Sequence, residues 1–526
     1  MTNPLHPYQR TAVAYALDHP ACGLFLDMGL GKTLTSIAIM DILRTREPGH
    51  HWLILAPARV ANHDWPAELD KWHGRHHLTH TLLNGTPGQR LHQLRQPTPD
   101  VTIASQELLP WLDDTLPRQW PWDALIIDEL SGYRNPRSTR FRILRRHRPH
   151  LQRIIGLTGT PVPKSLDNLW AQIHLIDQGA SLGRTITQYR SRWFHPGRRN
   201  PATGQIYTWE PNPGAFDQIM DAISPFCLTM LAHDQLPGLP ARTLIIHPVT
   251  MPDTTRHVYR QLQHDAIADL DPGLIGASNA GVLTGKLSQL TAGILYPDPQ
   301  DWTLILPPHT PDPTSSHTSL DDTITPLRLE PSPDGLHALI RDTHDRLHPC
   351  PTRLVHTSHD GGQTTIRARQ TLLDRATRIL DQAKLDELDR LIDRLDGTPL
   401  LLFHRYRIEL DRLIDRYGER IHTLDEPHVR ERWDRGDIPI LACQPAAAKY
   451  GLNLQHGGHV ICWTMPTWDL EEWRQANARL DRQGQTRPVQ IHVLATTDSV
   501  DTRQLDVLAG RSTLADKVAE TLKTGA

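Results

Sequence analysis

Nine short apolar runs, five before residue 158 and four after residue 398, set the tightest limit on what this chain can fold into. The first five are Gly23-Leu24-Phe25-Leu26, Trp52-Leu53-Ile54-Leu55-Ala56, Val101-Thr102-Ile103-Ala104, Ala124-Leu125-Ile126-Ile127 and Ile154-Ile155-Gly156-Leu157. Such continuous runs lack the alternation of a sheet with one wet face. They suit strands buried on both faces of a parallel sheet. Helical periodicity lies between some of them: from Thr33 to Arg44, the residues Leu34, Ile37, Ala38 and Ile42 fall near one stripe. Strand and helix in alternation predict a layered α/β domain over 1–176. The second set is Leu400-Leu401-Leu402-Phe403, Ile438-Pro439-Ile440-Leu441-Ala442, His459-Val460-Ile461-Cys462-Trp463 and Val489-Gln490-Ile491-His492-Val493-Leu494. It predicts a second α/β lobe over 382–496, with Pro439 blurring the extent of one strand.

The segments around the lobes read differently. Residues 177–296 look mainly helical, as from Thr254 to Leu270 and from Leu283 to Leu295. Residues 297–381 form a Pro-, Thr- and His-rich insertion, expected to be partly loop, whose histidines lack metal-ligand spacing. Residues 497–526 read as a short helical tail. The net charge of −3 exerts no overall pull on nucleic acid, so any such contact must come from local patches. One candidate is Arg134, Arg137, Arg140, Arg142, Arg145, Arg146, Arg148 and Arg153; another is Arg190, Arg192, Arg198 and Arg199 beside Trp193 and Phe194. Arginine supplies 48 of the 56 basic residues, which suits forked phosphate contacts, although codon bias in a GC-rich genome explains most of the excess. With 43 prolines and 31 histidines, that bias points to a bacterial or phage source. The five scattered cysteines form neither a disulfide framework nor a zinc motif. No signal segment opens the sequence, and no apolar stretch approaches the ~20 residues that span a bilayer. A cytoplasmic protein of a bacterium or phage-infected cell, without membrane contact and plausibly monomeric, is the expectation.

Four segments carry chemistry. Asp27-Met28-Gly29-Leu30-Gly31-Lys32-Thr33 follows an apolar strand and opens a helix. Glycines let backbone wrap a phosphate, and the helix start offers free N–H groups to the anion. Lys32 would reach the β and γ phosphates, and the Thr33 hydroxyl would hold Mg²⁺. The longer phosphate-loop pattern asks for glycine where Leu26 stands, so only the shorter G-x-G-K-T form fits; alone, that string also suits an ordinary strand–turn–helix junction. Asp128-Glu129 ends the run Leu125-Ile126-Ile127, and a carboxylate at the carboxyl end of a parallel strand faces the ligand crevice. Asp128 would hold Mg²⁺ and Glu129 would orient and deprotonate the attacking water; a solvated acidic pair is the alternative. Leu157-Thr158-Gly159-Thr160-Pro161 follows another strand, where Thr158 and Thr160 would link the ATP site to a nucleic-acid path. In the second lobe, helical offsets put Gln475, Arg479 and Arg482 on one face. Two guanidinium groups there would meet triphosphate oxygens across a cleft, unless the face is merely solvated and salt-bridged.

Together these residues resemble the superfamily-two helicases and, within them, the Swi/Snf family of double-stranded DNA translocases, compact phage and bacterial members above all. The resemblance covers about 5–296 and 382–500 and rests on the order of motifs. Leu5-His6-Pro7-Tyr8-Gln9-Arg10 looks like the opening motif, in which Gln9 would read the adenine. Met28, Gly29, Leu30, Gly31, Lys32 and Thr33 nearly match the family's phosphate loop. Leu55-Ala56-Pro57-Ala58-Arg59 and the following Trp65 resemble a motif that touches the DNA backbone, so Pro57 and Arg59 are contact candidates, and Ser105 sits where another contact is expected. Thr158, Gly159 and Thr160 would couple the two sites. Gly451-Leu452-Asn453-Leu454-Gln455 resembles the motif that links DNA to ATP, through Gly451 and Asn453. Gln475 to Gln485 resembles the motif supplying Arg479 and Arg482. Leu130-Ser131 departs from the usual Ala-His pair, and the Pro-rich insertion has no counterpart. The resemblance implies two RecA-like lobes, ATP and Mg²⁺ in the cleft between them, and ATP-driven tracking on double-stranded DNA. An RNA helicase of the same superfamily and a non-hydrolysing ATP-bound scaffold are the rival readings.

Overall fold

The computed structural model describes residues 5–117, 120–162, 164–199, 203–265, 280–296, 378–448 and 453–523, with the backbone of strands within 267–276 and 301–370. All five apolar runs of the first set are strands, and they join one seven-stranded sheet. Its order is His80–Leu83, Val101–Ser105, Trp52–Ala56, Ala124–Asp128, Arg153–Leu157, Ala21–Leu26 and Cys227–Met230. Every pairing in it is parallel. Alternate side chains of each strand enter two different cores. Leu53, Leu55, Leu125, Ile127 and Phe25 pack on one side, whereas Ile54, Ala56, Ile126, Leu24 and Leu26 pack on the other. This two-sided burial explains why the runs are apolar at every position.

The second sheet has six strands, ordered Arg242–Val249, Val489–Thr496, Val460–Trp463, Leu400–Phe403, Ile440–Cys443 and Ile421–Thr423. The five from residue 400 onward pair in parallel. Leu401, Phe403, Leu441, Ile461, Trp463, Ile491 and Val493 build its core. Pro439 lies just before Ile440–Cys443, so that strand starts after it. The helix Val500–Lys523 contributes Val518 and Leu522 to the first lobe's core and packs Leu508 and Ala515 against Leu470 of the second.

Three stretches depart from the sequence reading. Two strands, Cys227–Met230 and Arg242–Val249, lie inside the segment expected to be mainly helical. Both sit at sheet edges, where four residues or mostly exposed side chains leave no clear apolar pattern. The expected helix from Thr254 to Leu270 spans only Asp253–Asp265; Ile267–Leu270 is a strand against Gly273–Gly276. Pro272 disfavours helix in the residue before it, which limits how far the helix can run. Likewise Ala280–Thr291 is helix, but Gly293 turns at φ +69° and Ile294–Leu295 pairs with Arg378–Ile379. Most of the Pro-rich insertion lies outside the described residues.

By contact density the chain divides into two units. The first holds 1–247, 392–494 and 503–526, hence nearly all of both sheets. The second holds 248–391 and 495–502. Within the second, the fully buried Asp501 accepts from Lys384 Nζ at 2.7 Å, Thr291 Oγ1 at 2.8 Å and the Thr496 backbone N–H at 3.0 Å.

Candidate nucleotide site

The three chemical motifs of the first lobe end three neighbouring strands. Ala124–Asp128, Arg153–Leu157 and Ala21–Leu26 lie side by side, so Asp128, Thr158 and the phosphate loop emerge together at the carboxyl edge. Leu26 is a fully buried residue of its strand, which accounts for the absence of a glycine there. Gly29 and Gly31 adopt φ of +82° and +71°, conformations that side-chain-bearing residues rarely hold. Gly31 caps the helix Lys32–Arg46. Lys32 Nζ donates to the Leu26 carbonyl at 3.0 Å. Gln9 is buried under the loop: its amide donates to Leu30 O at 3.2 Å and accepts from His6 N at 2.9 Å. A Cβ on Gly31 would lie 2.4 Å from Gln9 Nε2, so loop and glutamine fit closely.

Asp128 is buried at its strand end. Its Oδ2 accepts the Trp65 indole N–H at 2.9 Å, and its carbonyl accepts Gln106 Nε2 at 2.7 Å. Burial raises the Asp128 carboxyl above its ordinary range, against the pull of Trp65 and Lys32. Glu129 holds φ +57°. Burial pushes its carboxyl up to about 8; Lys32 opposes this, Glu471 and Asp128 add to it, and Arg479 opposes it. Thr158 and Thr160 are buried, and the Thr160 N–H donates to Thr158 Oγ1 at 3.1 Å. A Cβ on Gly159 would lie 3.4 Å from Met28 Cγ and 3.5 Å from Lys32 Nζ, so this turn rests on the phosphate loop.

From the second lobe come Gln475, Arg479 and Arg482. The expected single helical face is not what presents them: the helix is Leu470–Asn477, and both arginines stand on the turns after it. Tertiary bonds end the helix. Asn477 Oδ1 accepts Trp463 Nε1 at 3.0 Å, and Gln485 Nε2 ties Gln455 O, Gly458 O and Leu480 O. Arg479 still hangs from the helix through Nε to Gln475 O at 2.9 Å. Burial lowers its guanidinium to about 10, helped by Arg482 and opposed by Asp64 and Glu129. Arg482 is lowered by burial against Glu68 and Asp64. Its Nε is buried without a hydrogen-bond partner among the described residues. A Cβ on Gly29 would meet Arg482 Cβ at 3.4 Å, so the phosphate loop and the second lobe approach closely here.

One cavity of about 1100 Å³ gathers these groups: Met28, Gly29, Gly31, Lys32, Thr33, Asp128 and Glu129 from the first lobe, and Gln475, Arg479 and Arg482 from the second. Pro57 and Asn453 also line it. Arg59 is exposed before the π-turn Val60–Asp64, Ser105 is buried at its strand end, and Leu30 is buried behind the loop. Gly451 lies outside the described residues. Trp65 is fully buried against Asp128, so its indole is not a surface contact. The first arginine cluster is not one patch either. Arg148 is buried on the carbonyls of Leu151, Leu175 and Ile176, Arg153 pairs with Glu47 at 2.8 Å and Arg146 pairs with Asp113. Arg134 and Arg140 face the cavity, and Arg137, Arg142 and Arg145 face solvent. In the second cluster Arg190 grips Asp167 at 2.8 and 2.7 Å, and Trp193 and Phe194 are core residues. Sequence reasoning missed Gln106 and Glu471; Glu471 stands two residues after the capping Asp469, a start signal without a visible partner.

Two α/β lobes with a phosphate loop, an acidic strand end and buried arginines around one cavity define a two-lobed nucleoside-triphosphatase core. The family model for the SNF2-related domain matches residues 8–292, more than half of the chain, and the chain therefore belongs to that family, with an SNF2-family ATPase core. It is 26% identical to putative protein p41 of Acyrthosiphon pisum secondary endosymbiont phage 1 over 98% of each chain. It is 24% identical to nuclear protein STH1/NPS1 of Saccharomyces cerevisiae over 90% of this chain but only 31% of that one. A Sulfolobus solfataricus SWI2/SNF2 ATPase core in complex with dsDNA is 18% identical, with TM-score 0.40 over 99% of this chain and 94% of that one. Among the described residues no helix is long and apolar enough to cross a membrane.

Proposed function

We propose that this protein is a DNA-dependent ATPase that tracks along double-stranded DNA, with ATP turned over in the cavity between its two lobes. The observation that carries the reading is the meeting of Lys32, Glu129 and Arg479 around that one cavity from distant parts of the chain. Gly29, Leu30 and Gly31 wrap the phosphates, Lys32 meets the β and γ oxygens, and Gln9 supports the loop beside the base. Thr33 and Asp128 are oxygen donors on the same cavity, a set that suits Mg²⁺. When bound, that ion neutralises phosphate charge. Glu129 is the carboxylate placed to accept the proton of the attacking water; burial raises its affinity for that proton, while Lys32 and Arg479 favour its ionised form. Water adds to the γ phosphorus as its bond to the bridging oxygen breaks, releasing ADP and phosphate. Arg479 and Arg482 stabilise the charge on the transferring group.

DNA follows Arg59 and the cavity rim at Arg134, Arg140 and Asn453, with Gly159 and the buried Ser105, Thr158 and Thr160 between it and the phosphate loop. The domain reading is an N-terminal lobe over 1–176, a connecting region over 177–296, the insertion 297–381, a C-terminal lobe over 382–496 and a tail over 497–526, with Cys227–Met230 and Arg242–Val249 of the connecting region each adding an edge strand to one lobe's sheet. ATP turnover measured with duplex DNA, single-stranded DNA or RNA, beside Lys32→Ala, tests this. The expected result is strongest stimulation by duplex DNA and none in the variant. Equal turnover without nucleic acid sinks the motor reading, and stronger stimulation by RNA moves it to an RNA helicase.

A further inference from the structure

Glu471 is given no contact with ATP in the reading above, yet it is an acidic group through which the lobes touch. Asp469 Oδ1 accepts from the backbone N–H of Glu471 at 2.9 Å and of Glu472 at 3.2 Å, which fixes Glu471 in the first turn of Leu470–Asn477. A carboxylate there is favoured by the helix dipole. Its two oxygens have separate partners. Oε1 accepts the Ser131 hydroxyl at 2.8 Å and Gln475 Nε2 at 3.3 Å; Oε2 faces Arg134 Nη1 at 3.4 Å. Ser131 and Arg134 belong to the 3₁₀ turn Leu130–Tyr133 and its cap, directly after Glu129. Gln475 lies one helical turn beyond Glu471. The Glu471 side chain is 13% exposed, so these bonds meet little competition from water.

We propose that Glu471 is an interlobe positioning residue: it holds Ser131 and Arg134 of the first lobe against the helix carrying Gln475, and so sets the separation at which Arg479 and Arg482 face the phosphate loop. The idea rests on the ATP-site reading and adds a device for alignment. Serine makes the bracket sensitive to distance, because its side chain is short and the bond exists only while the lobes are this close. Gln475 shares the oxygen that Ser131 uses, so lobe approach and the orientation of the Gln475 amide are linked.

A double-mutant cycle tests it in the full chain. Ser131→Ala and Glu471→Ala are each expected to lower DNA-stimulated kcat by about tenfold while KM for ATP changes less. The double variant should be no worse than Glu471→Ala within about twofold, since both remove one contact. Glu471→Gln, which keeps an acceptor for Ser131 but loses the ion pair, should recover part of the loss. Dyes on Arg95→Cys and Glu419→Cys, in a Cys350→Ser background, should move apart in the Glu471→Ala protein without ATP. Losses that multiply to about a hundredfold, or an unchanged dye separation, overturn the proposal. If Glu471→Ala shows no cooperative melt, Glu471→Gln takes its place in the cycle. Lys32→Ala separates the two ideas: normal turnover in that variant defeats the ATP-site reading, while the dye separation still reports on the bracket.

Discussion

The two lobes share a parallel-sheet plan but hold their polar groups in opposite ways. In the first, three groups of the site are already engaged: Lys32 on Leu26 O, Asp128 on Trp65, Gln9 on Leu30 O. Left-handed backbone, unstrained at Gly29 and Gly31 and strained at Glu129, shapes the loops that carry them. In the second, Arg479 and Arg482 sit on turns, largely desolvated, and Arg482 Nε has no hydrogen-bond partner among the described residues. Leaving a buried guanidinium short of partners is costly, which a triphosphate would remedy. On the proposed reading, the first lobe is organised to bind and the second to respond once an anion has arrived.

That contrast is open to attack by mutation. Arg479→Ala should lower kcat by about 10³-fold or more, the scale of an arginine finger, with affinity for a fluorescent ATP analogue little changed. Lys32→Ala, in contrast, should lose both binding and turnover in the same titrations. If Arg479→Ala loses binding as severely as Lys32→Ala, the division into binding and responding lobes is wrong. Next in size is Trp65→Phe. Asp128 would lose its indole donor but keep its place at the strand end, and the Mg²⁺ concentration for half-maximal ATPase should rise about 10–100-fold. An unchanged Mg²⁺ requirement would show that the indole only packs.

How far the sequence alone reached follows the same division. The apolar runs located strands of both sheets because two-sided burial leaves no room for polar residues. The phosphate loop was legible because positive φ and close approach to phosphate both call for glycine, at Gly29 and Gly31. What escaped depends on partners far along the chain. Trp65 reads as a surface contact until Asp128, 63 residues on, is seen to accept its N–H. The end of the helix at Asn477 depends on Trp463, and Glu471 gains meaning only from Ser131, 340 residues away. Arginine clusters misled for a related reason: Arg148 and Arg153 serve as internal braces, which a charge count does not distinguish from a patch.

The smallest expected effect probes the place where the phosphate loop meets the second lobe. Gly29 holds φ +82°, and an added Cβ would stand 3.4 Å from Arg482 Cβ. Gly29→Ala therefore imposes two penalties, a left-handed conformation on alanine and a tight contact with the second lobe. Strain of this kind costs about 1–3 kcal/mol. The first penalty acts on the folded first lobe alone, the second only while the lobes are together. Thermal melting should show a fall of a few degrees. Arg482→Gly in the same chain removes the contacting Cβ but leaves the backbone strain, so it should restore little of the melting temperature. Full recovery of melting temperature by Arg482→Gly would mean that the loss came from the contact with the second lobe rather than from the conformation of the loop itself.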